Sequence, residues 1–565
     1  MIHQNAEFRS QLTFRRPLTR RPTNSSRSEF LKNLGKSVHE HREEVFLSDD
    51  HVQISGFRAS KIMEKITKTL EKVCPEQTYV VVSLPHSAAQ AATVLAVILS
   101  KRIPIVIHPS ALNRVLADLS AIGTIREPSA VITDKDGMAT DLSATKIIVN
   151  SEAEVLNDFS HHLYSKNSVS HGAEESAPAL VIYTSGSSGT PKGVAISFPS
   201  ISYIASTLKE TLSLSHETIA AISMPLFHTL ALNTQFIPTI MAGGKCVFTP
   251  AELQLNSLYR NYLKTKGNYL ALIPEVLLQC YQEFRTKELE PHPFVKTVVM
   301  AGSNISREHL RIAELIFPKA EIFKGYGLTE AIRVSMISNR DPEFYSDVAG
   351  RPLSEQSLSI RSKSGDQVPK GAVGEIFVKG PNTTNFYLNP STPMLGPDGY
   401  LATGDQGYIN PKGLLVVSGR SDRVFKSQGR KIAPLEVEKV AMADALIGQA
   451  VCVPQICRHK GLRSALFLRL HSEINEGEMA RLASVLHGAV AQGLEPYKRP
   501  KEVYLSVSLP KLANGKPDVK SLKNDLDSGK FLPQKTLNFK GISFHWYELS
   551  SRDLPQTESH FGERA

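Results

Sequence analysis

Short β-branched runs alternate with helix-length stretches through two long parts of this chain, and few architectures accept that pattern. Phe57 to Val73 carries apolar residues at helical spacing, and Tyr79 to Leu84 is a β-branched run stopped by Pro85. Ala88 to Leu99 (helix), Ile103 to Ile107 (strand), Ala111 to Ala121 (helix) and Ala130 to Thr133 (strand) continue the series. Such an alternation predicts a parallel sheet covered by helices. Residues 151 to 177 are polar and read as a linker, after which the strand Ala179 to Tyr183 resumes the pattern to about residue 340.

Beyond residue 345 the pattern changes. Short strands such as Gly374 to Lys379 and Leu414 to Ser418 are separated by Gly, Pro and Asp turns, which predicts a β-rich subdomain over about 345–420. Residues 422 to 525 read as a smaller α/β unit, with a helix over Pro434 to Ala443 and strands near Ala450 to Pro454 and Leu466 to Leu470. With 565 residues the chain is too long for one core. The expected division is a basic, disordered arm over 1–36, a large α/β N-terminal domain over 37–420, a small C-terminal domain over 421–525, and a tail over 526–565.

The formal net charge is +10, yet residues 1 to 36 hold eight Arg or Lys against Glu7 and Glu29, so the remainder is nearly balanced. A nucleic-acid protein carries its basic excess on a folded face, so that class is disfavoured. Cys74, Cys246, Cys280, Cys452 and Cys457 are scattered and odd in number, which suits a reducing compartment and the cytoplasm rather than a disulfide framework. Cys452, Cys457 and His459 lack a second ligand pair at zinc-site spacing. No run reaches the 18 or so apolar residues of a membrane span, and the Arg- and Ser-rich leader resembles a transit peptide only in composition.

Behind the strand Leu180 to Tyr183 comes Thr184-Ser185-Gly186-Ser187-Ser188-Gly189-Thr190-Pro191-Lys192-Gly193, dense in hydroxyls and glycines. Glycines let backbone N–H groups approach an anion, hydroxyls donate further hydrogen bonds, and Lys192 can offset charge. Pro191 before the lysine and Gly193 after it exclude a Walker loop. The string YTSGSSGTPKG resembles the phosphate-loop signature of the adenylate-forming superfamily, which includes acyl-CoA synthetases, peptide-synthetase adenylation domains and luciferases. Pro225-Leu-Phe-His228, Gly325-Tyr-Gly-Leu-Thr-Glu330, Tyr400-Leu-Ala-Thr-Gly-Asp405, Gly419-Arg-Ser-Asp-Arg-Val-Phe-Lys426 and Leu509-Pro-Lys-Leu-Ala-Asn-Gly-Lys516 follow in the family's order. Together the motifs span roughly residues 178 to 520.

The resemblance implies an enzyme in which a carboxylate attacks the α-phosphorus of ATP. Anion meets anion in that reaction, so the site must neutralise charge and hold the reactants in line. By the same resemblance, Thr184 to Lys192 would cradle the phosphates, with Glu330 and Thr184 holding Mg²⁺ through hard oxygen ligands. Tyr326 would lie against adenine with Gly325 and Thr329 nearby, Asp405 would accept the ribose hydroxyls, and Arg420 would bind ribose or phosphate. His228, Gly302 and Ala331 would border the acyl pocket. Lys516 would bridge the acyl carboxylate and the α-phosphate. Asp422 would be the hinge of a mobile C-terminal lid, and Lys426 would replace Lys516 in a second conformation.

The implied second step is acyl transfer to a thiol, coenzyme A first, with a phosphopantetheine carrier protein or an amine as the alternative acceptor. A catalytically inactive nucleotide-binding scaffold is the alternative from another class, disfavoured by the retained Glu330, Asp405 and Lys516. His228-Thr229 stands where amino-acid-activating relatives place an Asp for the substrate amine, which disfavours an α-amino acid. Leu230, Ala231, Leu232 and Ile237 suggest an apolar acid. Met300-Ala-Gly-Ser-Asn-Ile305 departs from the usual Gly-Gly-Ala-Pro-Leu. Arg333 stands where small residues prevail. An outward-pointing side chain is the expectation there, with recognition of a second polar group on the substrate as the alternative.

Overall fold

The computed structural model describes residues 27–40, 43–122, 130–134, 145–148, 161–162, 178–184, 192–249, 257–384, 386–389, 394–427, 430–442, 444, 446–457, 461–512, 516–531 and 533–547. Two large sheets form the N-terminal part. In the first, Glu321–Tyr326, Thr297–Met300, Tyr269–Leu272, Ile219–Ile222, Lys245–Phe248 and Val45–Ser48 lie side by side and parallel. Antiparallel strands close both of its edges. In the second, Pro178–Thr184, Ile103–Val106, Tyr79–Ser83, Ala130–Thr133 and Thr145–Ile148 are parallel, with the antiparallel strand Lys192–Ser197 folded back beside Pro178–Thr184.

Helices Gly56–Val73 and Ala88–Leu99 join these sheets into one core. Ala88 through Ile98 are all buried, which explains why that segment has no polar face: a helix apolar all round is covered on all sides. Ser55 and Ser87 cap the two helices by accepting from Arg58 N–H and Gln90 N–H. The expected β-rich subdomain is an antiparallel sheet of Ser357–Arg361, Gly374–Lys379, Leu401–Ile409 and Leu415–Arg420.

The C-terminal domain has its own core, between helices Pro434–Ala441 and Glu476–Gly493 and a sheet ordered Ile447–Cys457, Gly461–Leu470, Glu502–Ser506, Ile542–Trp546, Lys535–Phe539. Two expected boundaries therefore move. Residues 535–546 were assigned to the tail, yet Ile542–Trp546 pairs in parallel with Glu502–Ser506, and Phe544 is fully buried. At the other end the helix Arg27–Glu40 takes up the last ten residues of the expected disordered arm, because Phe30, Leu34 and Val38 fall on one face and bury in the main core. The linker over 151–177 lies outside the described residues except for His161–His162. Among the described residues no helix is long and apolar enough to cross a membrane, and Cys74, Cys246, Cys280 and Cys452 are buried free thiols.

Candidate functional site

The hydroxyl-rich loop joins strands Pro178–Thr184 and Lys192–Ser197, whose register sets Thr184 opposite Lys192. Ser185, Gly186, Ser187, Ser188, Gly189, Thr190 and Pro191 lie outside the described residues. At the loop's two ends, Thr184 Oγ1 donates to Lys192 O at 3.4 Å, and the Lys192 ammonium stands 5.1 Å from the centre of the Tyr387 ring. The Tyr387 hydroxyl in turn donates to Glu330 Oε1 at 3.0 Å. The chain beyond Glu330 is held by its backbone: Thr384 N–H donates to Glu330 O at 2.9 Å, and Ala331 bridges to Thr383. Glu330 is thus fixed, through Tyr387, near Lys192 with one oxygen engaged by a neutral donor. Tyr387 was missed from sequence, since Phe386-Tyr387 belongs to no motif and meets the loop only through pairing with Val194 and Ala195.

A second group forms where the first sheet meets the β-rich subdomain. Tyr326 ends strand Glu321–Tyr326, and its hydroxyl donates to Asp405 Oδ2 at 2.5 Å. Asp405 and Arg420 are direct cross-strand partners, with Arg420 Nη1 3.6 Å from Asp405 Oδ1. Burial pushes the Asp405 carboxyl up, against the pull of Tyr326, Arg420 and Lys516. Arg420 also grips Asp422 through two 3.2 Å contacts, Nε to Oδ1 and Nη2 to Oδ2. Next along the chain, Arg423 Nη2 reaches Glu438 Oε1 at 2.6 Å in the C-terminal domain. Asp422 therefore sits where side-chain anchorage passes from one domain to the other.

The C-terminal domain delivers Lys516 into the same cleft. Burial lowers its pKa, while Glu275, Asp405 and Glu330 favour the ammonium and Arg420 opposes it. Lys516 also contributes to holding His228 down, at about 4, although burial is the larger cause there. His228 is therefore neutral near pH 7; its Nδ1 accepts from Leu230 N–H at 3.2 Å, which leaves the proton on Nε2. Glu275, at the second position of helix Pro274–Thr286, accepts from Gln449 Nε2 at 2.8 Å, and so docks the C-terminal domain on the N-terminal one. Neither residue lies in a motif. Lys426 is exposed on the hairpin Phe425–Ser427/Arg430–Ile432, apart from this group.

The remaining wall begins at His228 and continues into Leu230–Phe236, a π-helical turn whose seven residues are all buried. Such turns are rare and concentrate at functional sites. Leu230, Ala231, Leu232 and Ile237 are part of the main core, and the same stretch also buries Asn233, Thr234 and Gln235. Gly302 has φ +95°, and a Cβ there would lie 2.9 Å from Ile273 Cγ2, so the Met300–Ile305 segment passes closely over its neighbour. Ser303 donates to Glu275 at 3.3 Å. Arg333 does not point outward: it is 5% exposed, and Nη2 donates to Thr234 Oγ1 at 3.2 Å. Gly325 makes room for it, since a Cβ on that residue would sit 2.9 Å from Arg333 Nη1 and 2.6 Å from Ser335 O.

A model of the AMP-binding enzyme family matches residues 34–388. The chain is 29% identical over 344 residues to an indoleacetate–CoA ligase of Aromatoleum aromaticum, a stretch covering 60% of this chain and 65% of that protein. It is 26% identical over 340 residues to a 2-succinylbenzoate–CoA ligase of Enterococcus faecalis, covering 60% and 67%. The aligned part thus spans about two thirds of these relatives. Among solved structures, the o-succinylbenzoate coenzyme A synthetase of Bacillus subtilis in complex with ATP and magnesium superposes with a TM-score of 0.70 at 21% identity, over 87% of this chain and 98% of that one. ATP-bound MatB of Rhodopseudomonas palustris gives 0.74 at 18% identity, over 88% and 99%. These likenesses establish the fold as a large N-terminal domain with a smaller C-terminal one.

Proposed function

This chain belongs to the AMP-binding enzyme family, and on that premise we propose that it joins a carboxylic acid to a thiol, most simply coenzyme A, through an acyl-adenylate. The observation that carries the reading is Lys516, brought from the C-terminal domain into a half-buried cleft within electrostatic reach of Asp405, Glu330 and Arg420. A carboxylate oxygen attacks the α-phosphorus of ATP, pyrophosphate leaves with the bonding pair, and in the second step a thiolate displaces AMP from the acyl carbon. The Lys516 ammonium offsets charge on the acyl carboxylate and α-phosphate as they meet. Entry of ATP adds anions around Lys516, which favours the protonated form its burial disfavours. Asp405, with Oδ2 held by Tyr326 and Oδ1 paired to Arg420 at 3.6 Å, would offer Oδ1's remaining lone pair to the ribose hydroxyls, and the Tyr326 ring would give adenine a flat surface.

Glu330 and Thr184 offer a carboxylate and a hydroxyl beside Lys192, a hard-oxygen set that fits Mg²⁺. Mg²⁺ there would neutralise phosphate charge. The reacting end of the acid is assigned to neutral His228, its hydrocarbon part to the Leu230, Ala231, Leu232 and Ile237 side of the wall beside Gly302 and Ala331, and an α-amino acid is disfavoured by the lack of a carboxylate at Thr229. Names of relatives such as indoleacetate–CoA ligase support coenzyme A over a carrier protein. Buried free thiols among the described residues support a reducing compartment such as the cytoplasm.

The test is a screen of carboxylic acids for ATP-dependent pyrophosphate release, run with and without coenzyme A. MgATP alone is expected to raise the melting temperature, since Lys192, Glu330, Tyr326 and Asp405 form a site separate from the acyl wall. No stabilisation by millimolar MgATP, together with no binding of labelled ATP, would overturn the reading.

A further inference from the structure

Buried guanidinium groups normally face a carboxylate, because the desolvation of an unpaired charge costs several kcal/mol. Arg333 breaks that rule. Among the described residues no carboxylate pairs with it, its Nε has no hydrogen-bond partner, and burial pulls its pKa down to about 10 against a smaller opposing pull from the Tyr269 phenol. It is still a cation at neutral pH. Its backbone takes φ +53°, in the left-handed region that a long side chain seldom adopts. That conformation is held from outside: Gln356 Nε2 donates to Arg333 O at 3.1 Å, and Asn382 Nδ2 donates to Ile332 O at 3.1 Å. The half-buried Gln356, the buried Asn382 and an unusual backbone conformation thus aim one cation inward.

The place it points to is part of the acyl wall. Thr234, which accepts from Arg333, lies six residues beyond His228 along the same stretch of chain. Asn233 beside it is fully buried, donates to Thr229 Oγ1 at 3.0 Å, and leaves Oδ1 without a partner among the described residues. The guanidinium lies against Gly325 Cα, one residue before Tyr326. One end of the wall therefore offers neutral His228 next to Lys516, and the far end a cation lacking its anion.

We infer that Arg333 is a specificity-determining residue that binds a second carboxylate on the substrate, so that the acid activated is a short dicarboxylic acid. This rests on the adenylating reading of the site and deepens it. The hydrocarbon body lies along the wall, one carboxylate reacts beside His228 and Lys516, and the other completes the charge-assisted pair that Arg333 lacks.

The test measures binding directly. Malonate, succinate, glutarate, adipate and phthalate, each beside its monomethyl ester, are titrated by thermal shift and calorimetry in the presence of MgATP, on wild type, Arg333→Lys and Arg333→Met. At least one diacid is expected to stabilise wild type and its half-ester to bind about 10²-fold more weakly, the scale of losing one partner of a buried ion pair. Arg333→Met should abolish the difference between the two, and Arg333→Lys should restore part of it. Stabilisation of Arg333→Met by MgATP alone shows that the variant is folded; without it, the diacid-to-ester ratio on wild type and Arg333→Lys decides. Equal binding of diacids and half-esters, or no diacid bound at all, would overturn the inference. Loss of MgATP stabilisation in wild type would instead sink the adenylating reading beneath it.

Discussion

Replacing Lys516 by alanine is expected to separate the two half-reactions. Counting only the groups whose charge Lys516 feels, three carboxylates, Glu275, Asp405 and Glu330, stand against Arg420 and Lys516 itself, a net formal charge of −1. The variant leaves −2 in a half-buried cleft that, by the proposed function, must admit a nucleotide polyphosphate and a carboxylate. Loss of a preorganised charge at a developing anion costs about 10² to 10³ in rate, roughly 2.7 to 4 kcal/mol. Acid-dependent ATP–pyrophosphate exchange should fall by that factor. Conversion of synthetic acyl-AMP to thioester should stay within about threefold of wild type, because that step carries no pyrophosphate and, by the two-conformation proposal, takes place with the lid turned. Circular dichroism guards against a damaged C-terminal fold. Normal exchange in Lys516→Ala would refute the assignment, and equal loss of both steps in a folded variant would refute the division of labour.

Lys426→Ala should do the reverse, sparing exchange while slowing single-turnover transfer by about tenfold or more, since Lys426 is exposed in this structure and proposed to act only in a second conformation. Glu275→Gln should move the alkaline limb of the exchange rate to lower pH: burial already depresses the Lys516 pKa and Glu275 supports it, so removing that charge lets the proton leave sooner. A limb that stays in place would show that another group titrates. Phe30→Ala should cost about 3 to 5 kcal/mol of stability, as for other buried aromatics, because the ring is wholly buried and meets Phe198 edge-on at 5.7 Å; a denaturation midpoint unchanged from wild type would show that the helix Arg27–Glu40 is not docked in solution.

What could be read from the sequence follows the range of the signals. Helix Ala88–Leu99 and strands Ala130–Thr133 and Gly374–Lys379 fall at the expected residues, because periodicity and turn chemistry are local. Tyr326, Glu330, Asp405 and Lys516 could be singled out as candidates because each sits in a string whose neighbours carry information. Tyr387, Glu275 and Gln449 could not, since what joins them to the site is a side-chain hydrogen bond across 57 residues in one case and domain docking across 174 in the other. The strand Lys535–Phe539 was hidden by its own polarity: it is an edge strand with largely exposed side chains. Arg333 was misjudged because arginine is seldom buried, and nothing in Ala331-Ile-Arg-Val shows that Gly325, eight residues earlier, leaves the space it fills.

Arg420 ties these pieces to the proposed motion. Its guanidinium serves two carboxylates, Asp405 at the proposed nucleotide site and Asp422 at the proposed hinge, while a third bond from Nη1 to Thr403 O at 3.1 Å fixes it to the N-terminal domain. Beyond the hinge, Arg423 is anchored to Glu438 and to Cys452 O, both in the C-terminal domain. Rotation about Asp422 can therefore break the Arg420–Asp422 pair without disturbing either domain's interior, because both partners are partly exposed and such a pair is worth about 1 kcal/mol or less. The buried contacts that oppose opening are different ones, Gln449 to Glu275 and Lys516 among its carboxylates. Of these, only the attraction holding Lys516 depends on what occupies the site. Pyrophosphate departure removes anions from the proposed phosphate loop, weakens the hold on Lys516, and leaves the weak pair at the hinge free to exchange, so the end of the first half-reaction itself favours the turn toward the second.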